Sequence, residues 1–186
     1  MTEVSSLTGR LLVATPALAD PNFDRAVVLL LDHDDEGSLG VVLNRPTPVT
    51  VGDVLAAWAG LAGEPGVVFQ GGPVSLDAAL GLAVIPGDEG PLGWRRVFGA
   101  IGLVDLETPP ELLGPALGAL RIFAGYAGWG PGQLETELTE GAWYVVDSEP
   151  GDVSSPTPET LWRQVLRRQR GELAMIATYP DDPSLN

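Results

Sequence analysis

Apolar residues come in short bursts bounded by glycine, proline and acidic clusters, a pattern of many brief strands with few long helices. Gly9 to Ala14 predicts a first strand, stopped by Thr15-Pro16. Pro16 to Asp24 reads as a loop anchored by Phe23. Arg25 to Asp32 carries the run Ala26-Val27-Val28-Leu29-Leu30-Leu31, which fits a strand buried on both faces. Asp34-Asp35-Glu36-Gly37 is a turn, and Ser38 to Asn44 returns to form a hairpin ended by Arg45-Pro46-Thr47-Pro48. Thr50, with Asp53 in capping-box position, predicts a helix over 51–59. Strands are expected at Val67 to Phe69, Leu80 to Ile85 and Val97 to Leu106. Thr108-Pro109-Pro110-Glu111 reads as a helix start with Thr108 as N-cap, and Pro115 should kink or split that helix. A strand over 121–125, a short helix over 133–139, a strand over 142–147 and a helix over 159–170 capped by Gly171 complete the pattern. Hairpins separated by short helices favour an α+β fold with a mixed or antiparallel sheet.

The stretch Gly125-Tyr126-Ala127-Gly128-Trp129-Gly130-Pro131-Gly132-Gln133-Leu134-Glu135 stands out, with four glycines in eight residues. Such a backbone turns sharply or passes close to something, and Tyr126 and Trp129 mark it as a loop packed down on the protein. Gln70-Gly71-Gly72-Pro73 has the same character, and the two are expected to lie near each other.

At 186 residues the chain predicts one domain over 1–186, with a flexible tail at 1–6 and a Pro/Ser-rich loop at 148–158. No internal repeat is visible. No apolar run approaches the roughly 20 residues that cross a bilayer, and Met1 to Thr8 lacks a basic n-region, so a cytoplasmic protein with no membrane association is expected. The net charge is −15, and all ten bases are arginine. A surface of that sign repels phosphate backbones and disfavours nucleic acid. The absence of Cys removes thiol nucleophiles, disulfides and thiolate metal sites. Without Lys there is no Walker A loop and no Schiff-base chemistry. A single histidine excludes multi-histidine metal sites. No metal and no cofactor are expected.

Asp32-His33-Asp34-Asp35-Glu36-Gly37 begins like a calcium loop, but the twelfth position is Leu43 where a bidentate Glu is needed. An acidic hairpin turn is the plainer reading. His33 is the one candidate general base, yet the spacing singles out no serine or water for it to activate. Asn44-Arg45 at a strand end either presents a guanidinium to an anion or pins the corner through an ion pair, with Glu135 or Glu137 as partners. Gln70, Gly71, Gly72 and Pro73, with Tyr126, Trp129, Gln133 and Glu135, are either a rimmed nest for a ligand or two tight structural turns. Arg163, Arg167, Arg168 and Arg170 form a basic patch at a helix C-terminus.

These motifs resemble those of the bacterial YqgE/AlgH family. Gly9-Arg10-Leu11-Leu12-Val13-Ala14-Thr15-Pro16, then Asp20, Phe23, Val27 to Leu30 and His33, is similar to that family's opening. So is Gly40-Val41-Val42-Leu43-Asn44-Arg45-Pro46. Phe69-Gln70-Gly71-Gly72-Pro73-Val74, the Gly125 to Glu135 stretch and Trp143 come next in the family's order, and the resemblance runs from Leu7 to about Arg170. It implies a bifurcated, mixed but mostly antiparallel β-sheet rolled into a pseudo-barrel with flanking helices. The family name suggests transcriptional regulation, but the motifs mark no DNA-binding element and no catalytic site. Ala26 stands where the family often has Ser, and a redox role through thiols has no cysteine to use.

The expected function is ligand or partner binding, regulatory in kind, on a surface bounded by Asn44, Arg45, Gln70 to Pro73 and Tyr126 to Glu135, and more in keeping with a non-enzyme than an enzyme. A hydrolase using carboxylates and His33 is the alternative. A transcriptional regulator ranks last because of the charge. The sequence leaves the ligand, the pathway and the oligomeric state open.

Overall fold

The computed structural model describes residues 6–178 apart from 19, 22, 88 and 89. The tail expected at 1–6 therefore lies outside the described residues except for Ser6, whose hydroxyl bonds the Thr8 hydroxyl at 2.9 Å and the His33 carbonyl at 3.2 Å.

Among the described residues, ten strands form one branched sheet: β1 Leu11–Ala14, β2 Val27–Asp34, β3 Gly37–Val42, β4 Pro46–Thr50, β5 Val67–Gln70, β6 Val74–Val84, β7 Trp94–Phe98, β8 Ile101–Val104, β9 Ala119–Trp129 and β10 Trp143–Val146. The main path runs β10-β1-β2-β3-β9-β6-β8-β7, with β5 and β4 branching from β9. All pairings are antiparallel except β5 with β9. The branch arises on β9. One edge carries β6, from Ala119 opposite Val84 up to Tyr126 opposite Val74. The other edge is divided: β5 holds Phe123 and Ala124, and β3 holds Ala127 to Trp129. The sheet curls into a half-barrel of the α+β class, flanked by α1 Val51–Val54, α2 Pro110–Leu113, α3 Gln133–Thr139, α4 Pro150–Val153, α5 Leu161–Arg167 and α6 Glu172–Ile176. None of the described helices is long and apolar enough to cross a membrane.

Gly71, Gly72 and Gly125 sit at this branch. A Cβ on Gly71 would stand 2.4 Å from the Gly125 carbonyl oxygen, and one on Gly72 would stand 2.2 Å from the Tyr126 carbonyl. Backbone rests on backbone there, so no side chain fits. The 125–129 stretch is the end of a strand, where a packed-down loop was expected. Gly125 serves close approach with φ +76°, whereas a Cβ on Gly128 would meet only the Tyr126 ring at 3.9 Å.

Strand alternation divides the core into three. The inner face gathers Leu11, Leu29, Val41, Phe69, Leu82 and Phe123, and α5 closes it with Leu161, Trp162, Val165 and Leu166. The outer face of β1–β3 packs Leu12, Val28 and Leu30 against Trp129, Leu134 and Trp143. Phe23 anchors its loop on that cluster, with ring centroids 6.3 Å from Trp129 and 5.6 Å from Trp143. The outer face of the other branch packs Val68, Leu120 and Ile122 under Val51, Trp58 and Leu113. Arg121 is buried among these elements. It donates to the Glu64 and Ser155 carbonyls at 2.9 and 2.7 Å and lies 4.3 Å from the Phe69 ring, while burial lowers its pKa to about 10.

Several expectations need correction. The helix expected over 51–59 ends at Val54 and resumes as a 3-10 turn over 56–58, and the Thr50 side chain makes no cap bond. The strand expected over 97–106 is the β7–β8 hairpin, reversed at Gly99 with φ +58°. Pro109, not Thr108, occupies the N-cap of α2, and Pro115 diverts the chain into a 3-10 turn over 114–116 as the sequence predicts. The loop expected at 148–158 contains α4, closed by a capping box between Glu149 and Asp152. Gly171 opens α6; it does not cap α5, which ends on Arg168.

Candidate functional site

The family-like motif residues converge where α3 lies over the β2–β3 hairpin. Pro131-Gly132 turns the chain out of β9, and Gly132 (φ +74°) becomes the N-cap of α3. His33 on β2 is buried, and its Nε2 lies 2.7 Å from Glu135 Oε1. Its Nδ1 accepts the Leu7 backbone N–H at 2.9 Å. That bond requires a lone pair on Nδ1, so the proton sits on Nε2 and points at Glu135. The hydrogen bond from His33 holds the Glu135 carboxyl below the usual carboxylate range, helped by the residue's own backbone amide.

Further along α3, the Glu137 carboxylate accepts the indole N–H groups of Trp129 and Trp143 on one oxygen, at 3.1 and 3.0 Å. Its other oxygen accepts the Gln133 amide at 3.0 Å, and the Gln133 carbonyl oxygen accepts the Gly130 N–H at 3.0 Å. Trp129, Gln133, Glu135 and His33 are therefore brought together along α3, but His33 and Glu135 bond each other while Trp129 and Gln133 bond Glu137.

The remaining expected residues lie apart from that cluster. Asn44 braces the backbone at the entry to β2, accepting the Val27 N–H at 3.0 Å and donating to the Arg25 carbonyl at 2.9 Å. Arg45 donates to the Asp24 carbonyl at 2.5 Å, and no carboxylate among the described residues pairs with it. The ion pair with Glu135 or Glu137 is thus absent, both acids being engaged elsewhere. Arg45, Gln70, Gly72 and Pro73 line one small crevice of about 60 Å³ with Pro21 and Val42. Gly71 lies at the strand branch beside them, and Tyr126 packs its ring on the inner core. The expected surface is therefore split into a polar crevice and an internally bonded cluster.

The acidic turn at 34–37 closes the β2–β3 hairpin, with Asp34 opposite Gly37. Among the described residues, no group of three or more acidic or histidine side chains converges as a metal-holding set. Two of the four arginines in the patch are tied down. Arg168 grips Asp152 through two 2.7 Å bonds and reaches Glu149 at 3.2 Å, while Arg163 donates to the Ala177 carbonyl at 2.6 Å.

A groove of about 400 Å³ on the outer face was not foreseen. Its floor is Val68, Ile122 and Ala124, and its walls are β4, α1 and the outer half of β6. From Ser75 to Ala78 the β6 backbone arches away, since its register against β9 shifts between Val74 and Ala79. The arch and β4 leave Val49, Val54 and Leu76 exposed around the groove, by 42, 56 and 53%.

A family model described as AlgH-like matches residues 11–174. The chain belongs to the AlgH-like family. A UPF0301 protein of Streptomyces coelicolor is 85% identical, with 100% of this chain and 98% of that protein covered. A UPF0301 protein of Thermobifida fusca is 53% identical, covering 97% and 96%. A crystal structure of a Corynebacterium diphtheriae protein superposes with a TM-score of 0.89 at 30% identity, covering 96% of this chain and 95% of that one. The solution structure of AlgH from Pseudomonas aeruginosa gives 0.69 at 27% identity, covering 97% and 98%. The names of these AlgH-like relatives state no reaction, so a functional reading has to come from the surface.

Proposed function

We propose that this AlgH-like protein is a non-enzymatic binding protein that docks a protein partner on the groove between β4, α1 and the β6 arch. The carrying observation is the gathering of exposed Val49, Val54 and Leu76 around one concave apolar floor, a kind of surface that marks interaction sites. Pro46 and Pro48 lack N–H donors on β4, so strand addition along that edge is disfavoured. The partner docks instead through side chains, as an amphipathic helix or loop does. A net charge of −15 favours basic flanks on that partner. Arg45 and Gln70 lie two residues along the chain from the groove residues Thr47 and Val68, which supports the polar crevice as an extension of the same face.

The hydrolase reading is weaker. His33 accepts at Nδ1 and donates at Nε2 inside the fold, leaving neither nitrogen for a substrate proton.

The test is affinity capture from cell extract with wild type, Val54→Asp and Leu76→Asp, followed by binding measurements with the purified partner. Both side chains are exposed, so the variants keep the fold. A partner that binds wild type at least ten-fold tighter than either variant supports the reading. Equal binding by all three sinks it. A parallel screen on esters, phosphoesters and peptides that finds turnover abolished by His33→Ala would install the hydrolase in its place.

A further inference from the structure

The inner face of the same sheet carries a separate opening. Leu80 pairs with Phe123, and Leu103 with Arg95, so Leu80, Leu103, Arg95 and Val97 project from the concave side. Leu31 and Leu39 face them from the β2–β3 hairpin. Edge strand β7 approaches the hairpin's own branch at Phe98, which lies against Gly9. The half-barrel does not close there. A cavity of about 350 Å³ remains between Leu31, Leu39, Val97 and Leu103. A second recess of about 380 Å³ wraps the β7–β8 end of the sheet; it shares Arg95 and Leu103 with the first and takes Leu80 from the concave side, while Trp94 and Val104, which also line it, belong to the outer-face core. Together the two recesses have the size of a small-molecule site, with an apolar strip of Leu31, Leu39, Leu80, Val97 and Leu103 beside polar groups at the mouth.

The polar groups of the mouth are unequal. Arg96 is tied down: it donates to the Gly99 carbonyl and to the Gly87 carbonyl at 2.7 Å, and its guanidinium lies 4.9 Å from the Trp94 ring. Arg95 stands where the two recesses meet and makes no hydrogen bond or ion pair with the described residues. The Thr8 hydroxyl, on the rim of the first cavity, accepts from Ser6 and keeps its own proton to donate. Asp32 and Asp105 also lie on the rims. They discourage a doubly charged head group, because a dianion would face two carboxylates.

We propose that the mouth of the half-barrel binds a small apolar monocarboxylate, such as a medium-chain fatty acid. The carboxylate takes the Arg95 guanidinium as a two-donor fork and the hydrocarbon lies over Leu39, Leu80, Val97 and Leu103. Leu39, Leu80, Val97 and Leu103, which hold the hydrocarbon, are on the opposite sheet face from the partner groove, so this site stands or falls independently of it.

The experiment is calorimetric titration of the full chain with decanoate, decanol and decyl phosphate below their aggregation concentrations, with amide chemical shifts mapping the location. Wild type is expected to bind one decanoate saturably and at least ten-fold tighter than decanol or decyl phosphate, with shifts at Leu39 and Leu103. Arg95→Gln, an exposed change, is expected to weaken decanoate about ten-fold and leave decanol unchanged. Absence of saturable decanoate binding overturns the proposal. So does equal affinity for decanol, an Arg95→Gln protein that binds like wild type, or shifts confined to Val54 and Leu76. Tighter binding of decyl phosphate overturns the carboxylate assignment.

Discussion

Glu137 accepts three hydrogen bonds on one carboxylate and thereby fixes two tryptophans and a glutamine. Hydrogen bonds to a charged acceptor are worth about 1.5–3 kcal/mol each and do not add fully. Glu137→Ala is expected to destabilise the protein by about 2–4 kcal/mol, read as a lower urea midpoint by tryptophan fluorescence. The neighbouring Glu135 gives a pH signature. Its folded carboxyl titrates lower than an unfolded glutamate because of the His33 bond, so the stabilisation is fully present above the ordinary glutamate pKa of about 4.3 and fades as pH falls through the lower folded value. Wild type is expected to be more stable than Glu135→Gln at neutral pH, with the gap closing on acidification. A gap constant down to about pH 3 would contradict the assignment. The sequence made Trp129, Gln133 and Glu135 conspicuous, but residue types alone do not reveal whether their donors and acceptors face outward or toward each other. Here they face other parts of the fold: Trp129 and Gln133 bond Glu137, and Glu135 bonds His33.

At the level of elements, two glycines with nearly the same backbone should behave differently. Gly125 and Gly132 have φ of +76° and +74°. A Cβ on Gly125 would lie 2.6 Å from the Gly72 carbonyl oxygen, whereas one on Gly132 meets nothing within 4 Å. Gly132→Ala is expected to cost about 1–2 kcal/mol for the left-handed conformation alone. Gly125→Ala should cost at least about 2 kcal/mol more, because backbone must shift as well. Thermal unfolding of the two variants checks the order. The elements that were legible are those with both a period and a punctuation mark: the β2–β3 hairpin, and α3 between Gly132 and Gly141. The elements that were not legible lack a buried face. Strand β4 and the outer half of β6 are mostly solvent-exposed, so no alternation marks them, and the prolines of β4 read as a terminator. The segment 148–158 misled through composition. Its Pro150 starts a helix, and Asp152 in it is buried against Arg168.

Over the whole molecule, 25 acids face 10 arginines, and Arg121 is buried with two carbonyl partners and no carboxylate partner among the described residues. Self-repulsion on this scale weakens the compact state and is screened by salt. Raising sodium chloride from about 20 to about 500 mM is expected to raise Tm by about 3–5 °C, and a fall in Tm would show that attractive pairs dominate. The fold class was readable because strands outnumber helices along the chain. The branching was not, because it depends on β9 offering one edge to two different strands, a three-body arrangement that no local pattern encodes.

That shared strand also sets a timetable. The β1–β3 sheet is translated within the first quarter of the chain, yet its β3 edge pairs with residues 127–129, apart from one bond of the Val42 N–H to the Gly71 carbonyl, and its β1 edge pairs with residues 143–146. While the ribosome works through the intervening residues, the nascent hairpin carries two unmatched rows of backbone amides and carbonyls. Such edges invite pairing with other chains. Emergence of the glycine-rich end of β9 and then of β10 closes both, so the last third of the message decides whether the first third stays out of aggregates.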